Sequence, residues 1–166
     1  ELVANGVEVL HYYTMSKADA TYKIAKEVKA DGVHLEQTDS CPTKARKYLY
    51  TWQMIGAAAN TLQECETLIA KEVDYISLTP FRLMTKDDLS TVLGLNGYTA
   101  IVEALQTETP IIAVGGITTD DVTDILKSGI SGIAVSEEIT RNFNTIRTFN
   151  QLLSASSTEE KPYTFK

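Results

Sequence analysis

Chemistry in this chain gathers at the ends of short apolar runs. The richest segment is Pro110-Ile-Ile-Ala-Val-Gly-Gly-Ile-Thr-Thr-Asp-Asp121. Ile111 to Val114 reads as a buried strand that stops at Gly115-Gly116. Thr118 and Thr119 then stand where a helix N-cap belongs, with Asp120 and Asp121 in its first turn. Glycine lets the backbone approach an anion, and the free N–H groups of a helix start point at it, so this spacing makes a simple phosphate receptor. A plain tight turn is the alternative. A second group, Thr79, Arg82, Thr85 and Lys86, follows the run Tyr75 to Leu78. A threonine–lysine pair on a loop suits a clamp that closes over a phosphate; the alternative is a solvated loop in which Asp87 and Asp88 neutralise Lys86. A third group, Glu36, Gln37 and Asp39, follows Leu35. A carboxylate there can hold Mg2+ for a diphosphate substrate, or Asp39 can cap the helix opened by Pro42. After Val135 come Ser136, a donor to an anion, and Glu137, which would repel one unless it points away. His34 lies inside an apolar run and reads as a packed residue, while His11 ends the first run and can face either way. No Ser-His-Asp order or metal-ligand cluster is visible.

These groups need elements to hold them. Strands are predicted at 7–13, 32–35, 53–56, 75–78, 111–114 and 132–135. Helices are predicted over 18–28, over 42–50, from a cap at Asn60 or Thr61, over 119–127 and over 143–153. Near-continuous apolar strands alternating with helices argue for an α/β fold with a parallel, helix-covered sheet. The candidates are an open doubly wound sheet and a (β/α)8 barrel. Barrels run from about 200 residues upward, so a complete one does not fit in 166 residues and six strands. Thr79 to Gly97 is the longest connection, and long loops at strand ends usually carry function. Residues 1–153 read as one domain and 154–166 as a flexible tail.

Composition excludes several classes. The net charge is −7 and no basic patch appears, which argues against nucleic acid. No apolar run approaches the roughly 18 residues of a membrane span. The N-terminus lacks a signal-peptide layout. Cys41 and Cys65 are the only cysteines, and their spacing suggests neither a disulfide framework nor a metal site, so a cytoplasmic setting is expected. The chain begins at Glu1, which reads as a fragment or a processed form.

An ordered series of motifs resembles the thiamine-phosphate synthase family. Ala30-Asp-Gly-Val-His-Leu-Glu-Gln-Thr-Asp39 is similar to that family's fourth strand, and Met54-Ile-Gly-Ala-Ala-Ala-Asn-Thr61 to its fifth. Val73-Asp-Tyr-Ile-Ser-Leu-Thr-Pro-Phe81 resembles the sixth, with Thr85-Lys86 and Leu93-Gly-Leu95 fitting the loop that follows. Ile112-Ala-Val-Gly-Gly-Ile117 and Gly132-Ile-Ala-Val135 resemble the last two. The resemblance implies a TIM (β/α)8 barrel fold, incomplete here, whose six recognisable units correspond to strands three to eight. It implies a transferase that joins hydroxymethylpyrimidine diphosphate to thiazole phosphate, giving thiamine phosphate and diphosphate. The pyrimidine diphosphate ionises to a carbocation that the thiazole nitrogen captures, and Mg2+ stabilises the leaving diphosphate. By position, Asp39 matches one Mg2+ ligand and Asp19 a second candidate. Lys86 matches the loop lysine on the diphosphate, with Thr85 beside it. Gly115, Gly116 and Ser136 match the thiazole-phosphate cup, and Asn60 and Arg82 are further substrate-binding candidates.

Departures from the pattern point to a second reading. No Gln-x-Arg-x-Lys cluster, which grips the pyrimidine diphosphate in the family, is found. Ala20 follows Asp19 where a second acidic residue is usual, Glu36 replaces a glycine, Ala58 a serine or threonine, and Glu137 a small residue. The Thr85-Lys86 loop is also one residue short. These changes suit a non-catalytic relative that binds a phosphorylated ligand. Another phosphate-binding barrel enzyme would need a catalytic base or Schiff-base lysine at a strand end, and none is obvious. A thiazole tautomerase would carry a histidine near Asn60. An opened barrel exposes strand edges, so the chain is expected to be unstable alone or to pair with another copy.

Overall fold

The computed structural model describes residues 11–12, 18–39, 41–82 and 92–156. In chain order these form β1 (His11–Tyr12), α1 (Ala18–Glu27), β2 (Gly32–Leu35), α2 (Pro42–Tyr48), β3 (Met54–Ala59), α3 (Leu62–Ile69) and β4 (Tyr75–Leu78). Then follow α4 (Gly94–Leu105), β5 (Ile111–Val114), α5 (Val122–Lys127), β6 (Gly132–Ala134), α6 (Glu137–Arg141) and α7 (Thr145–Ser156). β2, β4 and β5 have the predicted bounds. β3 runs past Gly56 through the three alanines, because Leu35 on one side and Ile76, Ser77 and Leu78 on the other pair with them. Pairing here overrides the weak strand preference of alanine. α4 occupies the end of the predicted long loop. Its apolar positions Leu95, Tyr98, Ile101, Val102 and Leu105 keep helical spacing, which Gly94 and Gly97 obscure. α6 is too short to show a period, and α7 takes in the first residues of the predicted tail.

All six strands are parallel, and neighbours in the sheet are neighbours in sequence, from β1 to β6. A doubly wound sheet reverses its order at a switch point, and this one does not. Winding in one direction puts the helices on one face, as in a (β/α) barrel.

The helix-side face carries the core. Val33, Leu35, Ile55, Ala57, Ala59, Ile76, Leu78, Ile111 and Ala113 are buried there against Tyr22, Ala25, Cys65, Leu68, Tyr98 and Ile125 of the helices. Alternate strand residues face the other way. On that face His34, Gly56 and Tyr75 stand in one row across β2, β3 and β4. A Cβ on Gly56 would lie 2.0 Å from the Tyr75 ring, so the missing side chain makes room for it. The ring stacks on His34 with centroids 5.5 Å apart. His34 pairs through Nδ1 with the Tyr75 hydroxyl at 3.1 Å and through Nε2 with Ser77 Oγ at 3.0 Å. It is a packed, satisfied histidine, as its apolar surroundings in the sequence predict.

A polar clamp closes the opposite end of the strands. Buried Gln53 donates to the carbonyls of Ala25 and Ala30 at 3.0 and 2.6 Å and accepts from the Tyr50 N–H at 2.9 Å. Arg46 donates to the Gln53 carbonyl and to Asp74, both at 2.6 Å, and Asp74 accepts from the Ile55 N–H.

Candidate functional site

β5 ends in a glycine pair that the backbone requires. Gly115 has φ +105° and Gly116 φ +62°, the region that side chains disfavour. The neighbouring chain also leaves no room: a Cβ on Gly115 would sit 3.1 Å from Pro80 Cα, and one on Gly116 3.2 Å from Arg82 Cβ. This close approach is fastened by hydrogen bonds from the Phe81 N–H to the Val114 carbonyl at 2.8 Å and from the Arg82 N–H to the Gly115 carbonyl at 3.1 Å. Tyr98, fully buried on α4, donates to the Leu78 carbonyl at 2.7 Å and accepts from the Val114 N–H at 3.3 Å. Tyr98 therefore ties the ends of β4 and β5 together just below the pair. Sequence reading did not single it out; the helical spacing from Leu95 to Leu105 is the signal that would have found it.

The N–H groups of Gly116 and Ile117 donate to no atom among the described residues. Both residues line a cavity of about 660 Å³, together with Arg82, Thr118, Ser136, Glu137 and Arg141. The predicted glycine pair, Ser136 and Arg82 are thus brought together. The helix start differs from expectation. Asp121, not Thr118 or Thr119, holds the N-cap position, and α5 begins at Val122. The Thr118 N–H and hydroxyl both donate to Asp121 Oδ2, at 2.9 and 2.8 Å, because that carboxylate closes the turn. The amides left for an anion belong to the glycine loop rather than to a helix.

Arg82 is already engaged. Its guanidinium meets both Asp121 oxygens at 3.0 and 2.9 Å and the Gly116 carbonyl at 2.6 Å. Burial pushes the Asp121 carboxyl up, but the hydrogen bonds from Arg82 and Thr118 outweigh it and hold the group below the usual carboxylate range. Ser136 lies at the N-cap position of α6 and makes no side-chain cap bond. Glu137 is paired with Arg141, one turn along α6, so its charge is answered within the cavity.

A second cavity of about 530 Å³ lies by the ends of β2 and β3, with Glu36, Asp39, Glu64 and Lys71 in its wall. Asp39 closes the turn after β2 by accepting from the Glu36 N–H at 2.9 Å. It does not cap α2, whose N-cap position is Cys41, without a side-chain bond. Loss of hydration, then the charge of Asp39, raises the Glu36 carboxyl above its ordinary value. Thr61 caps α3 by accepting from the Glu64 N–H at 3.2 Å, and the Glu64 carboxylate accepts from the Asn60 N–H at 2.8 Å and from Gln37 at 3.0 Å. Asn60 lines neither cavity. Asp19 is the second residue of α1, which follows β1. Among the described residues no group of three or more His, Cys, Asp or Glu forms a metal site. Thr85 and Lys86 lie outside the described residues.

Comparisons with known proteins point the same way. The thiamine monophosphate synthase family model matches residues 18–139. The chain is 44% identical over 133 residues to a thiamine-phosphate synthase of Flavobacterium psychrophilum, covering 78% of this chain and 65% of that protein. It is 41% identical over 127 residues to one of Bacteroides thetaiotaomicron, covering 74% and 61%. Its fold resembles the thiamine phosphate pyrophosphorylase from Pyrococcus furiosus, with a TM-score of 0.69 and 26% identity over 84% of this chain and 66% of that one. The chain spans less than two thirds of the length of these two curated relatives.

Proposed function

This chain belongs to the thiamine monophosphate synthase family, and from that premise we propose that it acts in joining hydroxymethylpyrimidine diphosphate to thiazole phosphate, with release of diphosphate. The observation that carries the reading is the glycine-loop cup, where Gly116 and Ile117, whose N–H groups have no partner among the described residues, line one cavity with Ser136. Barrel enzymes place phosphates at the ends of their last two strands, and β5 and β6 resemble those strands. In this reading Gly116 and Ile117 hold the thiazole phosphate through their amides and Ser136 adds a hydroxyl donor. Arg82 keeps the loop in shape through Asp121 and the Gly116 carbonyl.

The leaving diphosphate belongs at the other end of the rim. Mg2+ needs only one or two protein carboxylates when substrate phosphates and water complete its octahedron. Asp39 suits that role, because the turn uses Oδ2 and leaves Oδ1 to offer a cation. Asp19 is a second candidate, and Lys86 with Thr85 would contact the diphosphate. Held by Asp39, Mg2+ would neutralise charge on the leaving diphosphate.

Small phosphorylated molecules are then the partners. No helix among the described residues is long and apolar enough to cross a membrane. The test is an assay of the purified protein with both substrates and Mg2+, following thiamine phosphate. Metal-dependent product formation is the expected result. Tight binding of thiazole phosphate without turnover would replace this reading with that of a non-catalytic ligand-binding relative.

A further inference from the structure

We propose that Arg141 supplies the positive charge that holds the ligand's phosphate in the β5–β6 cup, and that Glu137 keeps it poised there until the anion arrives. The inference rests on the reading of the cup as a phosphate site and names the residue that makes it selective for an anion.

Neutral amides and a hydroxyl orient a phosphate, but a guanidinium adds charge-assisted, two-pronged hydrogen bonds. Among the described residues two arginines line the cavity, Arg82 and Arg141. Arg82 is engaged by both oxygens of Asp121 and by the Gly116 carbonyl, and turning it toward a ligand would leave Asp121 without its cation. Arg141 is held differently. Among the described residues it pairs with Glu137 at i,i+4 on the same short helix, and the two side chains are 70% and 46% exposed. Exposed pairs at this spacing are weak. A phosphate accepts the guanidinium fork at least as well as a carboxylate does, so the exchange of Glu137 for ligand is favourable.

The remaining charges make the exchange necessary. Glu137 and Glu138 both line the cavity. With Arg82 neutralised by Asp121, a cup without Arg141 would present two carboxylates to an incoming anion. Glu137 thus has two effects: it holds Arg141 over the cup, and it competes with the ligand for it.

Calorimetric titration of the protein with thiazole phosphate, and separately with inorganic phosphate, tests this. Arg141→Ala is expected to weaken both by about tenfold or more, as loss of a charged hydrogen-bond partner does. Arg141→Lys should recover part of that loss, because it restores the charge without the fork. Glu137→Gln should tighten binding by roughly twofold, since removing a weak surface pair frees the guanidinium. Glu137→Gln keeps the size of the side chain and Arg141→Lys shortens it by about one atom, and circular dichroism confirms that each is folded. Unchanged affinity in Arg141→Ala and Arg141→Lys, with saturable binding by the unaltered protein, overturns the role of Arg141 and leaves the cup reading intact. Weaker binding in Glu137→Gln overturns the competition assigned to Glu137. No binding of either probe by the unaltered protein overturns the cup reading and this inference together.

Discussion

At the β5–β6 end of the rim the proposed ligand groups are backbone amides, set by two glycines in positive-φ conformations, with Ser136 and Arg141 beside them. At the β2–β3 end they are the carboxylates Glu36, Asp39 and Glu64. The first arrangement depends on shape: Pro80 and Arg82 press on the glycines from one side, and Tyr98 fixes the strand ends beneath them. The second depends on which side chain stands where, and one substitution changes its charge. The backbone part of such a site resists exchange of side chains that do not touch the ligand but tolerates no side chain within it. A site built from carboxylates has the opposite weakness.

The sharpest way to break this contrast is Gly115→Val. A β-branched residue at φ +105°, with Pro80 Cα only 3.1 Å from its Cβ, should cost about 3 kcal/mol of stability and abolish phosphate binding in the cup. Chemical denaturation and phosphate titration measure the two effects, and a stable variant that still binds would refute the shape argument. Next comes Asp39→Asn, which keeps the size of the side chain and removes its charge. Turnover should fall on the order of a hundredfold, with a higher Mg2+ requirement and an unchanged affinity for thiazole phosphate. Loss of thiazole phosphate affinity instead would mean that the two ends of the rim are not separate.

The smallest effects are in pH dependence, and their signs are opposite. Asp121 titrates below its unfolded value, so its stabilisation is present at neutral pH and is lost as pH falls through the folded pKa. Asp121→Asn should therefore lower stability at neutral pH, by about 1 kcal/mol or less for a partly exposed pair, and have little effect in strong acid. Glu36 titrates above its unfolded value, so its contribution is greatest in acid and fades as pH rises through the folded pKa. Glu36→Gln should raise stability at neutral pH by roughly a few tenths of a kcal/mol and leave it unchanged below about pH 3. Urea unfolding followed from pH 3 to pH 7 separates the two trends, and parallel curves would remove the electrostatic distinction between the ends.

The sheet was readable in the sequence because its parallel strands are short, apolar and bounded by turn residues. Ile111–Val114 and Tyr75–Leu78 show this, and their bounds match the structure. Ala57 to Ala59 did not read as strand, because alanine adopts strand here only through pairing on both sides. The glycine pair was legible as a motif, since two glycines at a strand end mark a backbone turn that side chains disfavour. Its fastening was not. Arg82 and Asp121 are 39 residues apart, and nothing local links them. The same limit applies to Arg141, whose presence in the cup depends on how β6 and α6 are oriented rather than on any motif. Asp39 carried two local meanings in the sequence, cap or ligand. The structure replaces the cap with a third, the closure of its own turn.

Gln53 bears on how such a protein can change over generations. Its amide satisfies two carbonyls and one N–H from three chain segments at the amino ends of the strands, the work a trapped water often does, but covalently anchored. Glu36, Ala58 and Glu137, which line the two cavities, take no part in that clamp of Gln53, Arg46 and Asp74. Lineages can therefore try new chemistry along the rim while the foundation that folds it stays the same.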